Sequence, residues 1–95
     1  MIIEMNLAGK YIIANENNAK DIILLLYRKG YSFICGYELT FALDQYKLYF
    51  NYKTELYIIF FNSLHFTFNS YKEDGYTYFD VNILLRENKL KRILK

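Results

Sequence analysis

Hydrophobic positions in the first third of the chain recur at intervals of three and four residues, as in a helix. Within the stretch from Asn18 to Lys29, the recurring apolar residues are Ala19, Ile22, Ile23, Leu26 and Tyr27. This spacing places them on one face of a helix that packs on a core. A polar run from Asn15 supplies residues typical of an N-cap, and Gly30 stands where a glycine ends a helix. The pattern therefore predicts a helix over residues 18–29.

From Tyr37 to Leu85 the pattern changes to an alternation of apolar and polar residues, which is typical of β-strands. Asp74-Gly75 is the strongest turn signal, a two-residue hairpin loop that pairs Phe68 with Val81. Further two-residue loops extend the pairing backward, at Asn62-Ser63, Lys53-Thr54 and Asp44-Gln45. The result is an antiparallel meander of about five strands. Because the last two dipeptides are poor turn formers, a helix around residues 38–45 stays open as an alternative.

The meander has two faces with different side chains. One face is predicted to pack against the helix and carries Leu39, Phe41, Leu48, Phe50, Tyr57, Ile59, Phe66, Phe68, Val81 and Ile83. The other face has an apolar strip on its middle strand with aromatic and polar residues around it, and an uncovered strip of this kind marks an interaction site. We predict a protein interface there, formed by Tyr49, Leu56, Ile58, Phe60, His65, Tyr71 and Tyr78. Two short N-terminal strands, Met1 to Leu7 and Tyr11 to Ala14, or a C-terminal helix are alternative covers for the strip.

The C-terminal ten residues concentrate the positive charge of the chain. Residues 86–95 carry a net +4, while the whole chain carries +2. The segment is predicted to form a short basic helix that contacts nucleic acid or another acidic partner through Arg86, Lys89, Lys91, Arg92 and Lys95. A helix end that only keeps the protein in solution is the alternative.

Length and composition agree with one α+β domain over residues 1–95: the meander, one main helix on one face and the basic C-terminal helix. The longest apolar runs, Ile22 to Tyr27 and Leu56 to Phe61, have six residues, too few to cross a membrane. Cys35 is the only cysteine and lies among apolar neighbours, so we expect a buried thiol and a cytoplasmic protein. The single histidine, His65, is insufficient for a histidine-rich metal site. We therefore expect no enzyme, no metal and no cofactor.

These observations favour a small non-enzymatic protein that binds another macromolecule. Ile, Tyr, Asn, Lys and Phe, which have A/T-rich codons, dominate the composition. Small size, this composition and the lack of catalytic motifs are typical of phage or mobile-element inhibitors of bacterial defence complexes, the anti-CRISPR proteins among them. The expected partner is then a protein, such as a nuclease or ribonucleoprotein complex. Two alternatives are a module that binds RNA or single-stranded DNA through sheet aromatics and the basic tail, and a homodimeric structural protein.

Overall fold

A computed structural model describes residues 7–86 of the chain and gives an α+β fold with a five-stranded mixed sheet. In chain order the elements are β1 (Lys10–Asn15), α1 (Ala19–Arg28), β2 (Ser32–Phe33), a 3₁₀ turn (Ile34–Gly36), α2 (Leu39–Tyr49), β3 (Glu55–Phe60), β4 (His65–Asn69) and β5 (Thr77–Tyr78). Residues 81–86 are helical. Within the described range, no helix is long and apolar enough to cross a membrane. The predicted strand Met1 to Leu7 lies almost wholly outside this range.

The helix α1 agrees with its prediction to within one residue at each end. The helix ends just before Gly30, as predicted: this residue has a φ of +98°, a left-handed conformation that favours glycine. The Gly30 N–H donates to the carbonyl of Tyr27 at 3.1 Å, and the Tyr31 N–H donates to that of Leu26 at 2.9 Å. These two bonds satisfy carbonyls that a helix end otherwise leaves unpaired.

The N-terminus of α1 uses its asparagines differently from the prediction. Asn18 occupies the N-cap position, but its side chain makes no bond to the first turn of the helix. Its Oδ1 instead accepts the Asn15 N–H at 2.8 Å, and the Asn15 Oδ1 accepts the N–H groups of Asn17 and Asn18. The cluster therefore shapes the turn between β1 and α1.

The sheet order is β2-β4-β3-β1-β5, and the predicted antiparallel meander is wrong in its topology. The β1–β3 and β3–β4 pairs are antiparallel, whereas both edge strands, β2 and β5, run parallel to their neighbours. Asp74-Gly75 does form a turn, but the chain after it crosses to the far edge of the sheet and pairs with β1. Here the Thr77 N–H donates to the Gly9 carbonyl at 3.1 Å, and the Phe79 N–H donates to the Tyr11 carbonyl at 2.8 Å.

The β3–β4 hairpin exists as predicted, but its register is shifted by one residue. Phe66 pairs with Phe60, whereas the predicted two-residue loop would pair Phe66 with Ile59. The reason is a longer connection, in which the Asn62 side-chain oxygen accepts the N–H groups of Leu64 and His65, both at 2.8 Å. Because side chains alternate along a strand, a shift of one residue exchanges the two faces of β3.

The segment predicted as the first two strands of the meander is the helix α2, so the helical alternative is confirmed for residues 39–45. Ala42 and Tyr46 are buried on its inner side. Phe41 and Leu48, which the strand pattern assigned to the core, are exposed. Neither Asp44-Gln45 nor Lys53-Thr54 has the glycine or asparagine that a tight hairpin turn requires, and the chain continues as a helix through the first of them.

The core lies between one face of the sheet and both helices. The sheet contributes Ile12, Ala14, Leu56, Ile58, Phe60, Phe66 and Phe68 to it, and α1 contributes Ala19, Ile22, Ile23, Leu25 and Leu26. Phe66 and Phe68 lie in the core, as predicted. Tyr57 and Ile59, predicted beside them, face away from the helices, since β3 side chains alternate and Ile58 belongs to the core.

The chain after β5 is helical, so the strand predicted to reach Leu85 is wrong beyond Tyr78. The side chain of Asp80 accepts the Asn82 N–H at 2.9 Å, which begins the helical segment, and Val81 and Leu84 pack into the core. Of the predicted basic C-terminal residues only Arg86 is described, and it is exposed. The other four, Lys89, Lys91, Arg92 and Lys95, lie outside the described residues.

Candidate protein-interaction surface

The apolar strip predicted on the outer face of the sheet is part of the core. Leu56, Ile58 and Phe60 are completely buried. The ring of Phe60 lies 5.3 Å from that of Tyr31 and 6.0 Å from that of Phe66, measured between centroids. Their predicted exposure is therefore wrong, for the reason of register given above.

The residues predicted around the strip do not share one environment. Tyr49 is half-buried on α2, and its hydroxyl donates to the Phe68 carbonyl at 3.2 Å. His65 is half-buried, with its Nδ1 3.2 Å from the Asn62 Oδ1 and its ring stacked on Phe61. Tyr71 and Tyr78 are exposed. The structure thus leaves two of the seven predicted interface residues open to a partner.

The outer sheet face has a covered centre. Tyr11 and Ile59 point away from the helices and are nevertheless buried. Tyr57 and Tyr78 lie beside Tyr11, with ring centroids 5.8 and 5.7 Å away, and the Lys72 ammonium lies 6.0 Å from the same ring. Because its central ring is buried, this face is a poor platform for stacking bases.

A different surface exposes large apolar side chains, and α2 forms it together with the residues next to its two ends. The exposed fraction is 48% for Tyr37, 37% for Phe41, 54% for Leu48 and 85% for Tyr52. Within α2, the spacing of seven residues places Phe41 and Leu48 on one side of the helix, with Gln45 between them. Tyr37 precedes α2 and stacks on Phe41, and Tyr52 lies in the turn that follows α2. We call these four residues the α2 stripe. The opposite side of α2 packs on the core, so this helix is apolar on both sides, a pattern typical of helices that are covered on both sides.

The N-terminal end of the α2 stripe is held in place by the tyrosine of another helix. The Tyr27 hydroxyl accepts the Phe33 N–H at 2.9 Å and donates to the Tyr37 carbonyl at 2.7 Å. The Tyr37 ring stacks on Phe41 with 4.3 Å between centroids and 24° between planes. Burial raises the pKa of Tyr27 above its ordinary value, and the hydrogen bond from the Phe33 N–H lowers it by a smaller amount. The hydroxyl therefore keeps its proton, and both of these hydrogen bonds, at neutral pH.

The C-terminal end of the α2 stripe borders a groove of about 330 Å³ lined by Leu48, Tyr49, Tyr52, Lys53 and Ser70. The chain keeps a helical turn beyond α2, because the N–H groups of Tyr52 and Lys53 donate to the Tyr49 carbonyl at 3.1 and 2.9 Å. This turn carries Tyr52 onto the same side as Leu48. The groove thus continues the apolar surface of the helix.

Charged residues flank the α2 stripe in a fixed order. Glu38 and Asp44 lie towards its N-terminal end, and Lys47 and Lys53 lie towards its C-terminal end. All four are exposed. The surface therefore has an acidic half and a basic half around an apolar centre, and it presents no excess of either sign.

The structure corrects the prediction made for the cysteine. Cys35 is exposed, so its predicted burial is wrong. The 3₁₀ turn lifts it off the sheet edge, and it adopts a φ of +66°, which is uncommon for a side chain with a Cβ. Among residues 7–86, no group of three or more His, Cys, Asp or Glu side chains is placed to hold a metal ion.

Comparisons with protein-family models, with curated proteins and with solved structures find no match for this chain. The α2 stripe is the feature of the described residues that points to a function. Sequence reasoning missed this surface because it assigned Phe41 and Leu48 to a strand. A helical reading of the segment places Phe41 and Leu48, seven residues apart, on a second apolar side of α2.

Proposed function

We propose that this protein acts by binding another protein chain through the α2 stripe, without carrying out a reaction. The observation that supports the proposal is the exposure of four large apolar side chains, two on one side of α2 and two next to its ends, while the other side of the helix already packs on the core. Three of the four are aromatic, and buried tyrosines are among the residues that contribute most to binding energy in protein interfaces. The polar residues around them supply the solvated rim that such interfaces have.

A protein partner suits the α2 stripe better than nucleic acid does. Nucleic-acid binding requires an excess of basic side chains that neutralise phosphates. The stripe is flanked by Glu38 and Asp44 as well as by Lys47 and Lys53, so the charges around it balance. The RNA- or DNA-binding alternative depends on the predicted basic residues 86–95 and stays a separate prediction.

The narrower class predicted from the sequence, a phage or mobile-element inhibitor of a bacterial defence complex, remains part of the proposal. Its support is the small size and the A/T-rich composition. A protein of this class works by occupying a surface of a larger complex.

Site-specific photocrosslinking in the cell that carries the gene tests the proposal. A benzophenone amino acid replaces Tyr52 in one variant and Tyr78 in another, which is a matched control because Tyr78 is a half-exposed tyrosine on the outer sheet face. We expect a discrete covalent adduct from position 52 and none from position 78. Adducts from position 78 alone would show that the outer sheet face is the contact surface, and the proposal would be wrong.

A further inference from the structure

We infer that the partner for which the α2 stripe is built is a second copy of this chain, paired through an antiparallel two-fold contact between the two α2 helices. This inference rests on the proposed function, because it names the partner of the same surface. Its grounds are the arrangement of apolar and charged side chains along α2, which is complementary to itself when the helix is reversed.

The apolar residues match under a two-fold axis that passes near Gln45 and perpendicular to α2. Reversing the helix about this point brings Phe41 opposite Leu48 of the second copy. The same operation brings Tyr37 opposite Tyr52 of the second copy. A two-fold contact uses the same patch on both chains, so each of these pairs occurs twice. All four members of the α2 stripe are thereby covered together.

The charged residues match under the same axis. At about 100° per residue, Asp44 and Lys47 lie on one side of the α2 stripe. When two helices pack antiparallel, like flanks meet, so Asp44 of each copy faces Lys47 of the other. Glu38, at the N-cap, and Lys53, beyond the C-cap, lie outside α2 at its opposite ends, so the reversal also brings these opposite charges to the same end of the contact.

The groove beside Leu48 and Tyr52 completes the fit. Its volume of about 330 Å³ lies at the C-terminal end of the α2 stripe, where the reversed helix brings Tyr37 and Phe41 of the second copy. These two rings are already stacked on one another at 4.3 Å, so they enter the groove as one preformed unit. Preformed contacts lose little conformational freedom on binding.

The contact is short, which sets its strength. The 11 residues of α2 span about 16 Å at about 1.5 Å per residue. Interfaces of this extent fall at the small end of specific protein contacts, and we expect a dimer with a Kd in the micromolar range. The monomer and the dimer then exchange as the concentration changes.

Sedimentation equilibrium of the full chain between about 1 and 500 µM, with charge-reversal variants, tests the inference. The wild type is expected to change from its monomer mass of 11.5 kDa to twice that value. Asp44→Lys and Lys47→Glu each place like charges opposite one another twice per dimer, and each is expected to raise Kd at least tenfold. The double variant restores both pairs with their signs exchanged and should return to within about threefold of the wild type.

The control variant and the opposing outcomes keep the test specific. Lys20→Glu reverses an exposed charge on α1, away from the stripe, and should leave Kd unchanged. A wild type that stays monomeric at every concentration overturns the inference, and so does a double variant no better than either single one. A strict monomer that still gives a Tyr52 adduct with another protein leaves the proposed function intact. The absence of any adduct refutes both.

Discussion

Replacing Phe60 by alanine tests whether β3 has the register that the structure gives it. Phe60 is completely buried, and its ring contacts those of Tyr31 and Phe66 at 5.3 and 6.0 Å. Burying a phenylalanine contributes about 1.5–3 kcal/mol, and each aromatic pair adds about 0.5–1.5 kcal/mol. Phe60→Ala should therefore lower the free energy of unfolding by about 3–5 kcal/mol, as large-to-small changes in cores do. A protein of this length has about 5–14 kcal/mol in total.

Urea denaturation followed by circular dichroism measures this loss. With a slope of about 1–1.5 kcal/mol per molar urea, the midpoint of Phe60→Ala should fall by about 2–5 M. Phe61→Ala is the neighbouring control, since Phe61 is 38% exposed, and it should cost less than about 1 kcal/mol. If Phe60→Ala leaves no folded protein, Phe60→Leu provides a milder change of about 1–2 kcal/mol. Equal and small costs at the two positions would show that the register of β3 is wrong.

Four further predictions concern the backbone around the α2 stripe and the end of α1. Tyr27→Phe leaves the buried Phe33 N–H without its acceptor and should cost about 1–3 kcal/mol in urea denaturation, whereas Tyr52→Phe should cost nothing measurable. Because the pKa of Tyr27 is raised in the fold, its contribution is fully present below pH 10.0 and is lost as the pH rises further, so wild-type stability should fall more steeply there than that of Tyr27→Phe. Cys35→Gly should raise the free energy of unfolding by about 0.5–1 kcal/mol, because glycine relieves the left-handed conformation, and a lower thermal midpoint than the wild type would contradict this. Gly30→Ala should cost about 1 kcal/mol or more for the same reason, and an unchanged midpoint would contradict it.

The sequence predicted α1 well because the signals for this helix are local. The apolar spacing and Gly30 all lie within about a dozen residues, and each corresponds to a bond or a burial that the structure contains. The β3–β4 hairpin is also local and was predicted as an element. Its register was not, because the Asn62 side chain extends the connection by capturing two backbone N–H groups. A pattern of apolar positions alone does not show such a capture.

Topology and the candidate surface depended on information that neighbouring residues do not carry. Asp74-Gly75 specifies a turn, but whether the chain then pairs with β4 or crosses to β1 is decided by which edge of the sheet is free. The segment of α2 reads as strand or helix equally well, because it is apolar on both sides. That ambiguity misplaced Phe41 and Leu48, and with them the α2 stripe.

Hydroxyl-radical footprinting of the purified protein tests most directly the central claim, that the α2 stripe is the contact surface between two copies of the chain. Oxidation rates are compared at about 1 and 500 µM, with Tyr78, an exposed residue on the edge strand β5, as the control. We expect oxidation of Tyr37, Leu48 and Tyr52 to fall severalfold at the higher concentration, while that of Tyr78 does not change. Protection of Tyr78 with the stripe still fully reactive would contradict the claim.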